Sequence, residues 1–220
     1  MIQATHSGVI TLAAGLFLLA AVLIVWRREL RATVRLLAWQ GVALAAIPIA
    51  DGIQTGEWVT ITVGVIVLAL RGFVMPVLLS RAISSEDHEL RETTPLVNTT
   101  AALLATAALT MVAYAAMRPL IALSPTPGTR AAPATFAALL IAVFVLVSRR
   151  RAISQAVGFL MLDNAIAATA FLITSGVPLV VELGASLDIL FAMIVLGVLT
   201  DKMRRSFGGT DLNQLRELRD

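Results

Sequence analysis

The sequence has no cysteine, a single lysine and two histidines. Without cysteine there can be no disulfide, no Fe–S ligation and no thiolate metal centre. The histidines, His6 and His88, stand far apart and outside the apolar runs, so ordinary ligand spacing cannot build a metal site from them. No metal and no cofactor is therefore expected in this chain, and any redox chemistry coupled to it must take place in another subunit. Aromatic residues make up only 5% and charged residues only 14%. No basic face interleaved with aromatics is present, so nucleic acid is not an expected partner despite a net charge of +3. A glycine-rich phosphate loop is missing too. The one lysine, Lys202, sits at the inner end of the last apolar run, which makes a seven-helix retinal pump a poor fit.

What the chain has is hydrocarbon. Of its 220 residues 58% are hydrophobic, and mean hydropathy is +0.89. Soluble domains run at roughly 45–50% apolar and about 25% charged, so both shifts point to a lipid-solvated protein. Seven apolar runs can be drawn, at about 8–26, 34–51, 58–80, 97–121, 132–148, 154–175 and 179–200. Each approaches the roughly 20 residues that cross a bilayer as a helix. The fold class expected is all-α, a polytopic membrane protein of about seven transmembrane helices. The first run has no basic segment before it and no cleavage signal after it, and reads as a span, not a signal peptide.

The loops alternate in charge. Arg27, Arg28, Arg31 and Arg35 lie between spans one and two, Arg149, Arg150 and Arg151 between five and six, and Lys202, Arg204 and Arg205 after seven. Asp51 and Glu57, without a base, lie between two and three. Basic loops collect on the cytoplasmic side, which places the N-terminus outside and the C-terminus inside a bacterial-type inner (plasma) membrane. Loop 81–92 is acidic, and a solvated turn is favoured there over a docking surface. The Pro/Gly-rich stretch 122–131 divides the chain into a four-span part, 1–121, and a three-span part, 132–205. A tail, 206–220, carries Leu212, Leu215 and Leu218 at helical spacing, as an amphipathic surface helix would.

Charges inside apolar runs cost at least roughly 2.5–3.5 kcal/mol at the bilayer centre and mark candidate sites. Asp163 falls near the middle of span six and Asp188 near the middle of span seven. Measured from the turn at Gly176–Pro178, the two carboxyls lie at similar depth, roughly 20 Å and 15 Å. Desolvation disfavours a carboxylate anion, so such groups can pass a proton from one side to the other. A hydrogen-bonded Asp that locks helix packing is the competing reading. Arg71, in the middle of span three, keeps its proton and must find a carboxylate or backbone carbonyls. An Asp of this chain and an acid of a neighbouring subunit are both open as partners. Pro76 is expected to kink span three one turn later and free a carbonyl. Asn164 can support Asp163, Glu182 lies nearer the outer end of span seven, and Gln40 in span two can bond across helices, with packing favoured. The small residues of spans four and five read as close helix packing.

The runs GFLMLDNA and VELGASLDILFAMIV, with the tail TDLNQLRELR, resemble the hydrogenase-4 component E family, membrane subunits of formate hydrogenlyase-like and other group 4 NiFe-hydrogenase complexes. The resemblance implies seven spans. It sets Asp163 where that family's LMEN motif has Glu, matches Glu182 and Asp188 to acids of its last hairpin, and sets Arg71 where it carries an intramembrane Lys. Gln40 also fits the pattern. Spans five to seven are similar to the three-helix K-type subunit of respiratory complex I, whose middle-helix Glu falls one turn earlier, at Leu160. By this resemblance the chain is a non-catalytic membrane subunit beside antiporter-like and hydrogenase-side membrane subunits. Its relay acids are then Asp163, Asp188 and Glu182, with Arg71 as their charge partner. A purely bridging subunit and a free-standing ion transporter are the alternatives.

Overall fold

The computed structural model describes residues 2–27, 29–84, 97–149 and 152–174. The chain forms two compact units, Met1–Leu179 and Val180–Asp220, and every described residue belongs to the first. Span seven, with Glu182 and Asp188, lies outside the described residues, as do the acidic loop from 85 to 92 and the tail.

Among the described residues the fold is all-α. The helices are α1 (Ile2–Trp26), α2 (Leu30–Thr55), α3 (Trp58–Val67), a π-helical segment (Leu68–Val74), α4 (Met75–Ser84), α5 (Thr99–Leu123), α6 (Pro127–Ser148) and α7 (Ala152–Thr174). The third expected span is the continuous run α3–π–α4. Six of the resulting helices are long and apolar enough to cross a membrane. Helix is the form such runs must take in hydrocarbon, because it satisfies every backbone N–H and C=O within the segment.

Helices α1, α2, α7 and α6 form a four-membered core, each packing on the next and α6 closing on α1. The α3–π–α4 rod leans on α2, and α5 lies against α6 and α1. Large side chains at the centre, Phe17, Leu37, Ile47, Ile141 and Met161, are fully buried. Alanines fill the remaining core of α6, with Ala132, Ala137, Ala138 and Ala142 at zero exposure. The small residues read from the sequence as packing residues do pack, on α6.

The helix ends explain the boundaries. Helix α2 runs one turn past its apolar stretch and carries Asp51 in that turn. Gly56 then ends it at φ 73°, where its N–H donates to Gly52 O; a positive φ costs a side-chain-bearing residue but not glycine. Two residues later α3 begins, so the α2–α3 connection is a tight hairpin. The expected Pro/Gly-rich linker at 122–131 is far shorter, Ser124 to Thr126. The reason is a capping box. Thr126 Oγ1 accepts from Thr129 N at 3.1 Å, Thr129 Oγ1 accepts from Thr126 N at 2.9 Å, and Pro127 takes the first helical position. Proline is at home there because that N–H has no intrahelical partner to lose. Thr126→Ala should lower stability by about 1 kcal/mol without altering the site described below, as read by equilibrium unfolding of the detergent-solubilised protein.

The perturbation in span three also differs from the expectation. It lies before Pro76, not at it. The backbone widens into a π register over Leu68–Val74, where Met75 N–H donates to Leu70 O, five residues back. A proline ring clashes with the carbonyl four residues earlier, here that of Gly72. The wider register moves that carbonyl out of the way and lets the chain continue as α4. Arg71 sits in the middle of this segment.

Candidate polar site in the membrane core

Three elements bring their polar residues to one place. Gln40 comes from α2, Arg71 from the π segment, and Asp163 with Asn164 from α7. Each lies well inside its span, Gln40 roughly 15 Å from the start of α2 and Asp163 roughly 16 Å from either end of α7, at 1.5 Å per residue. Arg71 Nη1 stands 2.8 Å from Asp163 Oδ2. The same nitrogen donates to Asn164 Oδ1 at 2.9 Å. Its two hydrogens are thus committed to two consecutive residues of α7. Asn164 Nδ2 in turn donates to Gln40 Oε1 at 3.4 Å.

Burial makes these contacts matter. Gln40 is fully buried, and Arg71 and Asn164 are each 4% exposed. The Asp163 side chain keeps 18% of its surface, against 4% for that of Arg71. At such depth a charge pair is not screened as it would be in water. Removing Arg71 takes from the Asp163 carboxylate the cation 2.8 Å away, in a low-dielectric interior.

The hydrogen bonds run in one direction. A guanidinium only donates, so Asn164 must turn its oxygen to Arg71 and its NH₂ to Gln40. Gln40 must then offer its oxygen, and its Nε2 points onward with no acceptor among the described residues. The direction of every amide in the line is set by the one group that keeps its proton.

Glycine allows the approach. Gly41 follows Gln40, and a Cβ there would fall 2.5 Å from Arg71 O, 2.6 Å from its carbonyl carbon and 2.9 Å from Gly72 N. Bare backbone of α2 therefore touches bare backbone of the π segment beside the charge pair. Sequence reasoning passed over Gly41; the signal was its position, adjacent to a polar residue in an apolar run.

Of the expected site residues, Asp163, Arg71, Asn164 and Gln40 are brought together, while Glu182 and Asp188 lie outside the described residues. Among the described residues Arg71 is paired with Asp163 of the same chain. Other polar contacts were missed. Thr169 Oγ1 donates to Thr135 Oγ1 at 3.0 Å, joining α7 to α6. His6 Nε2 lies 3.6 Å from Asp51 Oδ1; the pair was hidden because both residues read as lying outside their spans. Arg149 Nη2 reaches Ile24 O, Val25 O and Arg27 O at 3.4, 3.3 and 3.2 Å. That guanidinium caps the C-terminal carbonyls of α1, where a cation is favoured. Among the described residues no three His, Cys, Asp or Glu side chains come together as metal ligands would.

The chain is 60% identical over 220 residues to the uncharacterized protein Rv0085 of Mycobacterium tuberculosis (strain ATCC 25618 / H37Rv), a match that covers 100% of both chains. It belongs to the same family as that protein. No family model matches the sequence, and no solved structure matches it.

Proposed function

We propose that this protein is an integral membrane subunit of a hydrogenase-like, complex I-related energy-converting complex, and that it contributes to a proton path through the membrane. The observation that carries the reading is the Arg71–Asp163 pair, 2.8 Å apart at mid-span, with the Asp163 side chain 18% exposed and that of Arg71 4%. A carboxylate can accept and release a proton, whereas the guanidinium beside it stays charged. Arg71 stands 2.8 Å from the carboxylate and covers one side of it. Movement of Arg71 would thus gate the acid's proton. The π segment supports this role, since such widened turns recur at functional sites. Asp188 and Glu182 continue the path in this reading. The chain carries no cofactor and binds no nucleic acid. Its partners are antiporter-like and hydrogenase-side membrane subunits, in an inner membrane with the N-terminus outside and the C-terminus cytoplasmic.

A bridging role without transport is the second reading, favoured by the line of bonds from α7 to α2 and the π segment. One experiment separates the two. The tagged chain is purified in mild detergent, its partners are identified by mass spectrometry, and Asp163→Asn is introduced. Asn preserves the size of the side chain and an acceptor for Arg71, and removes the titrating acid together with its negative charge. Expected are co-purification with antiporter-like and hydrogenase-like subunits, an assembled complex in the variant, and at least ten-fold slower proton translocation in vesicles. Normal translocation with Asp163→Asn would eliminate the relay, and recovery of the chain without such partners would eliminate the complex.

A further inference from the structure

We propose that the outward-facing groove between α1 and α2 binds an anionic diacyl phospholipid, with the headgroup held at Arg31 and Arg35. The groove, about 380 Å³, is walled by Leu16, Leu19 and Leu23 of α1 and by Leu36, Trp39 and Ala43 of α2. Its walls offer acyl chains an apolar track between the two helices. The alternating small and large side chains, Ala43 beside Trp39, form a furrow, not a flat face.

The charge lies at one end only. Arg31, Arg35 and Trp39 follow one another at four-residue intervals, so they share a face of α2, and all three are exposed. Trp39 is 68% exposed, placed as an interfacial aromatic between headgroup and chain regions. At the matching end of α1, Arg27 stacks 4.9 Å over the ring of Trp26. Among the described residues Arg27, Arg31, Arg35 and Glu29 thus lie at this end of α1 and α2, three arginines to one acid.

The local helix chemistry also calls for an anion. Arg31 lies in the first turn of α2, where the macrodipole is positive and a cation is disfavoured. No acid stands in that turn, and the Glu29 side chain does not cap it. The cation-favouring C-terminus of α1 is already served by Arg149. Arg31 is thus set against a positive helix end, with Arg35 one turn further on the same face. A phosphodiester between them offsets both charges and the dipole together. Basic pockets between membrane helices recognise anionic headgroups in this way.

The test uses the full-length chain in detergent, with bound lipid counted by native mass spectrometry. Phosphatidylglycerol and cardiolipin are offered in competition with phosphatidylcholine. The parent protein should retain the anionic lipids. The pair Arg31→Gln and Arg35→Gln should weaken that binding on the order of 30-fold, at about five-fold per arginine. Arg35→Gln alone should give an intermediate loss should the double variant fold poorly. Arg130→Gln, at the other end of α6 and roughly 27 Å from the Arg149 end, should change nothing. Equal uptake of phosphatidylcholine by the parent, or unaltered selectivity in Arg35→Gln and the double variant, would overturn the proposal. So would equally tight binding of glycerol phosphate without acyl chains, which would mark a soluble-anion site, or exclusion of all lipid by a protein subunit seated in the groove.

Discussion

Replacing Arg71 by Met is expected to destabilise the protein by about 3–5 kcal/mol, the range for breaking a buried ion pair from one side. The Asp163 carboxylate would be left at mid-depth, 2.8 Å from where its partner had been, and Asn164 Oδ1 would lose its donor. Asp163→Leu should also destabilise, because Arg71 loses the carboxylate 2.8 Å away and a guanidinium cannot neutralise itself. Combining the two substitutions should restore most of the loss. A buried pair exchanged for well-packed apolar side chains of similar volume is often neutral or stabilising. The double-mutant cycle, measured by equilibrium unfolding in mixed micelles, should therefore give a coupling energy above about 2 kcal/mol. Additive single-variant losses would mean that the two residues do not act as a pair.

The double variant also decides between the two functional readings. If the pair only locks helices, an apolar replacement that restores the lock should restore assembly and translocation together. If the pair carries protons, the same chain should be stable and assembled, yet without translocation. Stability and transport then part company in one protein whose buried pair has been replaced as a whole.

The sequence made legible what depends on composition and depth. Lipid-solvated helices announce themselves by length and hydropathy, so all six described spans fell within a few residues of their runs. Charges inside those runs were conspicuous because hydrocarbon tolerates them so poorly, and four of the expected polar residues do converge. Features that depend on backbone geometry or on polar residues near helix ends stayed hidden. A stretch rich in proline and glycine reads as a linker, yet Pro127 and Gly128 begin α6 because Thr126 and Thr129 cap each other. Pro76 signals a disturbance, but the propensity of a single residue cannot say that the register will widen upstream, around Arg71. Asp51 looks like a loop residue because it ends an apolar run, and only the extension of α2 brings it to His6. Glycine gives no hydropathy signal at all.

For that reason Gly41 supplies the second large effect. Gly41→Ala adds one carbon, yet that carbon would lie 2.5 Å from Arg71 O, about 0.9 Å inside the 3.4 Å at which ordinary contact begins. All three of its nearest neighbours are backbone atoms, so no rotamer relieves the clash and α2 must separate from the π segment. The part displaced is the backbone that carries Arg71, whose Nη1 reaches Asp163 and Asn164 at 2.8 and 2.9 Å. Shifts of that size open both contacts. The expected cost is about 3 kcal/mol or more, overpacking compounded by a weakened buried pair, with proton translocation lost alongside. Gly72→Ala is the matched control, one residue beyond Arg71 in the same interface. Its Cβ would meet the side chains of Leu68 and Val42 first, at 3.3 and 3.4 Å, and these can move. A loss below about 1 kcal/mol is expected there, since alanine also favours helix over glycine. Equal losses at the two glycines would show that the interface tolerates general loosening, and that the backbone contact at Gly41 is not what holds Arg71 in place.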